Sequence, residues 1–197
     1  MIDISKKVKV ALMGTHGTRK TTIGHILVGR LREREVNAEF LSEVAREANQ
    51  KPGLPINEGT RITTQLWIQY EQMAREIEYL ARPDVDALVT DRGNLDNYMY
   101  LMHHEGRAVP VIDDLVNYWV KTYDLIFKMS IVKDGQLDSD EVRAKSPEFM
   151  TSIDQLFEQE LIRRKVPFEY YGMNMTKEEA LEDALEKIIA VIDKKRT

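Results

Sequence analysis

The segment Gly14-Thr15-His16-Gly17-Thr18-Arg19-Lys20-Thr21-Thr22 constrains this chain more than any other feature. Val8 to Met13 (VKVALM) precedes it, a brief apolar run that stops at a glycine and so reads as a buried strand. After it, Ile23, Ile26, Leu27 and Leu31 recur at spacings of three and four, which predicts one buried face of a helix from Lys20 to about Arg34. Strand, glycine-bearing loop and helix in this order suit a phosphate group. Gly14 and Gly17 let the backbone turn sharply and aim its N–H groups inward, and the helix brings its positive dipole end to the same space. Lys20 would reach the β- and γ-phosphates and the Thr21 hydroxyl would ligate Mg²⁺. The whole loop, Gly14, Thr15, His16, Gly17, Thr18, Arg19, Lys20, Thr21 and Thr22, is therefore the expected nucleotide-binding element, with His16 filling the loop rather than acting as a ligand.

One residue departs from the GxxxxGK[ST] pattern: Arg19 stands where the last glycine belongs. An arginine there must hold the same backbone with its side chain turned outward, or crowd the site.

The rest of the chain alternates short apolar runs with helical periods. Strands are expected at Ala38–Ser42, Ala87–Thr90, Asp124–Ile131 and Phe168–Gly172, and helices at Thr60–Ala81, Leu95–His104, Val111–Thr122 and Phe149 to about Lys165. On the longest helix, Ile62, Leu66, Tyr70, Met73, Ile77 and Leu80 form the stripe expected to face inward, closed by Pro83. A last helix opens with Thr176 and Glu179 as a capping box and turns Leu181, Leu185, Ile188 and Ile192 inward. This alternation predicts an α/β fold, a three-layer P-loop NTPase arrangement with a parallel sheet flanked by helices. With 197 residues and no repeat or linker, one domain spanning residues 1–197 is expected.

Ligands in such sheets sit at the carboxyl ends of strands, so the residues following each strand matter most. Glu43 and Arg46 follow the second strand. Glu43 would take or orient the proton of an attacking hydroxyl, or it is simply a helix start favoured by the dipole. The third strand ends in Asp91 and Arg92, with Asp96 a turn later. Asp91 would hold Mg²⁺ together with Thr21 and Arg92 would grip a phosphate or the acceptor; alternatively Asp91 or Asn94 caps the next helix. Residues 133–147 are polar and charged and read as a loop in which Arg143 could stabilise leaving charge, or sit in a solvated, charge-balanced stretch. Arg163 and Arg164 are expected at the surface. Trp67, Tyr70 and Trp119 fall mainly on core stripes, while Trp67, Gln69 and Tyr98 are candidates for a nucleoside pocket.

Composition narrows the partners. The chain has no cysteine, which removes disulfides and thiolate chemistry, and His103 and His104 lack partners at metal spacing, so no zinc site is expected. The formal charge of −5 argues against a nucleic-acid partner. Without a run of about 18 apolar residues no membrane span is expected, and the charged start does not read as a signal peptide, so the chain is expected in the cytoplasm. A homodimer is admitted.

GTHGTRKTT, SEVAR, TTQLWIQYEQ, VTDRGNLDNYMY and YDLIF before a DG-containing lid, in that order over about residues 8 to 175, resemble the small P-loop kinase-like ATPases grouped with the nicotinamide-riboside-kinase domain of NadR. More distantly they resemble deoxynucleoside and thymidylate kinases. The resemblance implies a five-stranded parallel sheet with a short arginine-bearing lid at about residues 132–147. It also implies transfer of the γ-phosphate of ATP, or GTP, to a small nucleoside- or nucleotide-type acceptor with Mg²⁺. By position Lys20 and Thr21 match the phosphate and metal residues, Glu43 the acidic residue after the second strand, Asp91 and Arg92 the DR pair, and Arg143 the lid. An NTP-binding regulatory or hydrolytic protein is the alternative.

Restoring the glycine is the direct probe of the irregular position. Arg19→Gly is expected to raise affinity for nucleoside triphosphate in an equilibrium titration, and unchanged binding would mark the position as neutral.

Overall fold

The computed structural model describes residues 6–15, 17–56, 60–129, 147–172 and 174–197. Its elements are β1 (Val8–Met13), α1 (Lys20–Glu33), β2 (Ala38–Leu41), α2 (Val44–Asn49), α3 (Ile62–Ala81), β3 (Ala87–Asp91) and α4 (Asn94–Glu105). Then follow α5 (Pro110–Trp119), a 3-10 turn (Val120–Thr122), β4 (Leu125–Lys128), α6 (Pro147–Arg163), β5 (Glu169–Tyr170) and α7 (Lys177–Arg196). The five strands form one sheet in the order β2-β3-β1-β4-β5, and every pairing is parallel.

β1 sits at the centre, and its six residues are all buried because helices cover both faces. Its side chains alternate as the pleat requires. Val8, Val10 and Leu12 pack with Leu27 and Leu31 of α1 and Leu185 and Ile188 of α7. Ala11 and Met13 face the other way, against Leu95 and Met99 of α4, Ile112 and Val116 of α5, and Phe157 of α6. A third cluster, with Leu41, Val44, Ala48, Ile68, Leu80 and Leu88, seats α2 and α3 on the β2 and β3 side. Contact between α1 and β2 is close at Gly24, where an added Cβ would lie 2.2 Å from the Phe40 ring. The capping box of α7 forms as its sequence predicts: Glu179 accepts the Thr176 N–H at 2.8 Å and Thr176 accepts the Glu179 N–H at 3.3 Å.

Helix α3 departs from its apolar pattern. Of the expected inward stripe, Ile62, Tyr70 and Ile77 are exposed and Leu66 and Met73 half-buried; only Leu80 is buried. The buried face instead carries Thr64, Gln65, Ile68, Gln69, Gln72 and Glu76. The reason lies in what this face meets. Glu76 accepts hydrogen bonds from Lys9 Nζ at 2.9 Å, Trp119 Nε1 at 2.7 Å, Tyr123 Oη at 2.6 Å and Gln72 Nε2 at 2.8 Å. Lys9 is on central β1, and its ammonium also lies 4.4 Å from the Trp119 ring centre and 4.3 Å from that of Tyr123. A lysine at a fully buried strand position needs such an anion, and α3 turns its polar face inward to supply it.

Arg164, expected at the surface, is likewise buried, and it pairs with Glu160 and Asp113 between α6 and α5. Its neighbour Arg163 is exposed as expected. Among the described residues, no helix is long and apolar enough to cross a membrane.

Removing one partner of a buried pair leaves the other charged and unsolvated. Glu76→Ala is therefore expected to destabilise the fold by about 3–5 kcal/mol, measured by urea unfolding. A loss below about 1 kcal/mol, the scale of an exposed pair, would contradict the assignment of Lys9 as a buried charge.

Candidate functional site

The loop after β1 closes on its own lysine. Lys20 opens α1, is 5 % exposed, and donates from Nζ to the Gly14 carbonyl at 2.9 Å, the Thr15 carbonyl at 2.6 Å and Thr18 Oγ1 at 3.0 Å. Burial pushes its ammonium down to about 8; Arg92 adds to the fall, and Asp91, Asp96 and Glu43 oppose it. Gly14 has φ 144°, and a Cβ there would lie 2.7 Å from the Met129 carbonyl oxygen, so both the turn and the close approach require glycine. Gly17 is also left-handed, at φ 75°. Thr15 Oγ1 is buried with no hydrogen-bond partner among the described residues. His16 lies outside the described residues.

Arg19 takes φ 62° and ψ 22°, the left-handed conformation that a glycine would adopt freely, and its side chain is exposed. It therefore keeps the loop's backbone course without crowding the interior, at a strain cost of about 1–2 kcal/mol. Any gain from Arg19→Gly then comes through the backbone rather than from cleared space.

The ends of three adjacent strands converge here. Pairing β1 with β3, and β3 with β2, places the β1 and β2 ends about 10 Å apart with the β3 end between them. At the β3 end, the Thr21 hydroxyl of α1 donates to Asp91 Oδ2. Asp91 thus does not cap α4; Gly93 is the N-cap residue and Asp96 serves it from within the first turn. Arg92 is 4 % exposed and left-handed at φ 78°. Its Nε lies 2.7 Å from Glu43 Oε1, a close charge contact without hydrogen-bond alignment, and its Nη1 donates to Tyr100 Oη at 3.4 Å. Glu43, at the end of β2, also accepts Arg46 Nε at 3.0 Å. Burial pushes Glu43 up, but Arg92 and then Arg46 and Lys20 outweigh it and hold the carboxyl at about 2. Such a carboxylate stays ionised and is a weak base, suited to orienting a hydroxyl rather than storing its proton.

The sequence therefore brings Gly14, Lys20, Thr21, Glu43, Asp91 and Arg92 to one end of the sheet. Arg143 and the expected lid lie outside the described residues. Gln69 and Tyr98 are both buried and hydrogen-bonded to protein partners. Gln69 exchanges hydrogen bonds with Asn94, donating at 2.8 Å and accepting at 2.7 Å, and Tyr98 is fully buried with its hydroxyl accepting the Val109 N–H at 3.0 Å. Trp67 is half-buried, with Lys51 Nζ 5.0 Å from its ring centre.

Sequence reasoning gave no role to Asp96, whose Oδ1 accepts the Gly14 N–H at 2.9 Å and Oδ2 the Gly93 N–H at 2.8 Å. The signal was available as an aspartate three residues after a glycine at a helix start, the acidic half of a capping box. Thr64 and Gln65 were also missed. They lie one turn from Gln69 toward the strand carboxyl ends, and both Thr64 Oγ1 and Gln65 Oε1 are buried without partners among the described residues.

A divalent cation can be tested against this donor set. No group of three or more His, Asp or Glu residues able to hold a metal occurs among the described residues. Asp91 and Thr21 offer one carboxylate and one hydroxyl in mutual contact, hard oxygen donors that suit Mg²⁺ when phosphate oxygens and waters complete its shell.

A family model described as an AAA domain matches residues 9–176, which takes in all the site residues above and every strand but for Val8, the first residue of β1. The chain belongs to this AAA domain family. Among curated proteins none matches the sequence. The fold of this AAA domain chain is similar to that of solved structures of NadR proteins and a thymidylate kinase. A NadR protein in complex with NR has a TM-score of 0.71 at 16% identity, covering 94% of this chain and 53% of that one. A NadR protein in complex with NAD and AMP-PNP has a TM-score of 0.68 at 14% identity, covering 96% and 51%. Thymidylate kinase from Ehrlichia chaffeensis has a TM-score of 0.62 at 16% identity, covering 94% and 98%. The chain thus spans about half the length of the NadR chains and almost all of the thymidylate kinase. At these identities the likeness establishes the fold alone: the α/β P-loop NTPase arrangement of a five-stranded parallel sheet flanked by helices.

The Lys20 environment would make anion binding at the loop pH-dependent. A phosphate that engages Lys20 stabilises its charged form, so above pH 8 the free protein must take up a proton to bind. Affinity for nucleoside triphosphate is expected to hold between pH 7 and 8 and to fall by up to about tenfold per unit above that, with Lys20→Arg abolishing the dependence. A wild-type profile that stays flat to pH 10 in calorimetric titration would contradict this.

Proposed function

We propose that this AAA domain chain is a small-molecule kinase, transferring the γ-phosphate of a nucleoside triphosphate to the hydroxyl or phosphate of a nucleoside- or nucleotide-type acceptor. The observation that carries this reading is the juxtaposition of two functions at one sheet end. A phosphate loop holding a buried lysine sits beside an ion pair of buried Arg92 and half-buried Glu43, one and two strands away. A loop that only bound or hydrolysed nucleotide would not need a second, internally paired arginine and carboxylate where an acceptor would lie.

In this reading the loop N–H groups and the α1 dipole receive the phosphates, and Lys20 exchanges its loop carbonyls for β- and γ-oxygens. Thr21 and Asp91 would hold Mg²⁺, which supplies positive charge to the transferring phosphoryl group when bound. That charge is needed. Glu43, Asp91 and Asp96 are three carboxylates against the two buried cations Lys20 and Arg92, so the protein alone leaves an entering triphosphate uncompensated. Arg92 orients the acceptor and Glu43 accepts the hydrogen bond of its hydroxyl, aligning the oxygen for in-line attack. Because phosphoryl transfer proceeds through a loose transition state, placing the hydroxyl matters more than early removal of its proton. The orphaned oxygens of Thr64 and Gln65 fit an acceptor that offers hydrogen-bond donors. The ligands of the neighbours, NR in one NadR structure and NAD with AMP-PNP in another, support a nucleoside-type acceptor and a nucleoside triphosphate donor.

A coupled ADP-release assay over a panel of nucleosides and nucleotides, with ATP and GTP as donors, tests the reading. Release that requires an acceptor, and that falls about 100-fold or more in Glu43→Gln, is expected. Acceptor-independent release would make the chain a hydrolytic or regulatory P-loop protein instead. Transfer left intact in Glu43→Gln would remove that residue from the mechanism.

A further inference from the structure

The carboxylate of Asp96 is 1 % exposed and, among the described residues, belongs to neither a salt bridge nor the Thr21–Asp91 pair. Each of its oxygens is committed to a backbone N–H. One is that of Gly14, where β1 ends and the phosphate loop begins; the other is that of Gly93, which follows Asp91 and Arg92 and caps α4. Both glycines lack side chains that could hold their own positions. Gly14 is besides a pivot: its carbonyl receives Lys20 Nζ at 2.9 Å while its N–H meets Asp96. We propose that Asp96 is a positioning residue for phosphoryl transfer, a single carboxylate that fixes the start of the phosphate loop against the corner carrying Arg92. The inference rests on the nucleoside triphosphate reading of that loop.

The chemistry of this latch demands an ionised carboxylate. Two N–H groups approach two oxygens, so a proton on either oxygen removes the charge that strengthens both bonds and adds a donor where only acceptors are wanted, loosening one strand end from the other. Neutral asparagine makes the same error permanently, since its carboxamide offers one oxygen and one NH₂. The groups facing Asp96 are Lys20 at the start of α1, Arg92 at the end of β3 and Tyr123 ahead of β4. Burial pushes the Asp96 carboxyl up to about 6, against Arg92, Lys20 and the two N–H groups, which hold it down. The latch accordingly releases as the pH falls through about 6.

The test is calorimetric titration of ATP with MgCl₂ into wild type and Asp96→Asn from pH 7.5 to 5. Wild-type affinity is expected to weaken by about tenfold between pH 7 and 5, beyond the change that ATP protonation imposes on both proteins. Asp96→Asn should already be weakened by a similar factor at pH 7 and show only the shared change. Equal affinity of the two proteins at pH 7, or parallel pH profiles, overturns the inference while leaving nucleotide binding intact. A wild type that binds no nucleotide at any pH overturns the triphosphate reading and the inference with it. Wild-type amide exchange gives a second measurement that does not depend on the variant folding. Protection of the Gly14 and Gly93 amides, corrected for intrinsic rates, should fall together between pH 7 and 5, and unchanged protection of either contradicts the latch.

Discussion

An ammonium group buried inside a protein needs oxygen around it, and Lys20 finds that oxygen in the loop that carries it, at the carbonyls of Gly14 and Thr15 and the hydroxyl of Thr18. The arrangement depends on β1 being central and ending at a residue able to adopt φ 144° against the Met129 carbonyl. It depends equally on α1 starting immediately after Arg19 so that Lys20 points back into the loop. The packing of the sheet, with α1 and α7 on one face and α4, α5 and α6 on the other, holds those two ends in place. The loop is thus already formed around a cation before any phosphate arrives. In the proposed binding mode, phosphate oxygens would replace those carbonyl ligands rather than build a site from a disordered segment.

Around that lysine the charges are arranged in layers. Asp91 sits with Thr21 and Asp96 with two backbone N–H groups, while Glu43 is shared by Arg92 and Arg46. Spread over separate partners, these charges do not merge into one neutral cluster, and in the proposed reading they leave distinct places for metal, donor and acceptor. Two non-glycine residues, Arg19 and Arg92, occupy left-handed backbone here. Strained residues persist where the surroundings over-determine them, and both flank the proposed transfer path.

Much of this was legible in the sequence, and the failures share a cause. The strand–loop–helix around Gly14 was readable because glycine, lysine and threonine occur there in a spacing that backbone geometry demands. The ends of β2 and β3 were readable because apolar runs stop at Glu43 and Asp91. Helix α3 was misread because periodicity assumes that polar residues face water, whereas Gln69, Gln72 and Glu76 satisfy Asn94, Lys9, Trp119 and Tyr123 inside the protein. A lysine in the middle of VKVALM was the clue that a buried anion had to exist. Arg164 was misplaced for the same reason, since its partners Asp113 and Glu160 come from different helices. Asp96 escaped because only half of its task, the cap at Gly93, has a local pattern, whereas its bond to the Gly14 N–H joins residues far apart in sequence.

The claim at the centre of this account is that donor phosphates, metal and acceptor meet at the ends of β1, β3 and β2. A crystal structure with AMP-PNP and Mg²⁺ tests it most directly. The account predicts phosphates seated on the Gly14–Thr22 loop, Lys20 Nζ moved from the Gly14 and Thr15 carbonyls to β- and γ-oxygens, a cation between Thr21 and Asp91, and the γ-phosphate facing Arg92 and Glu43. Nucleotide bound elsewhere, or seated with its γ-phosphate turned away from Arg92 and Glu43, would contradict it.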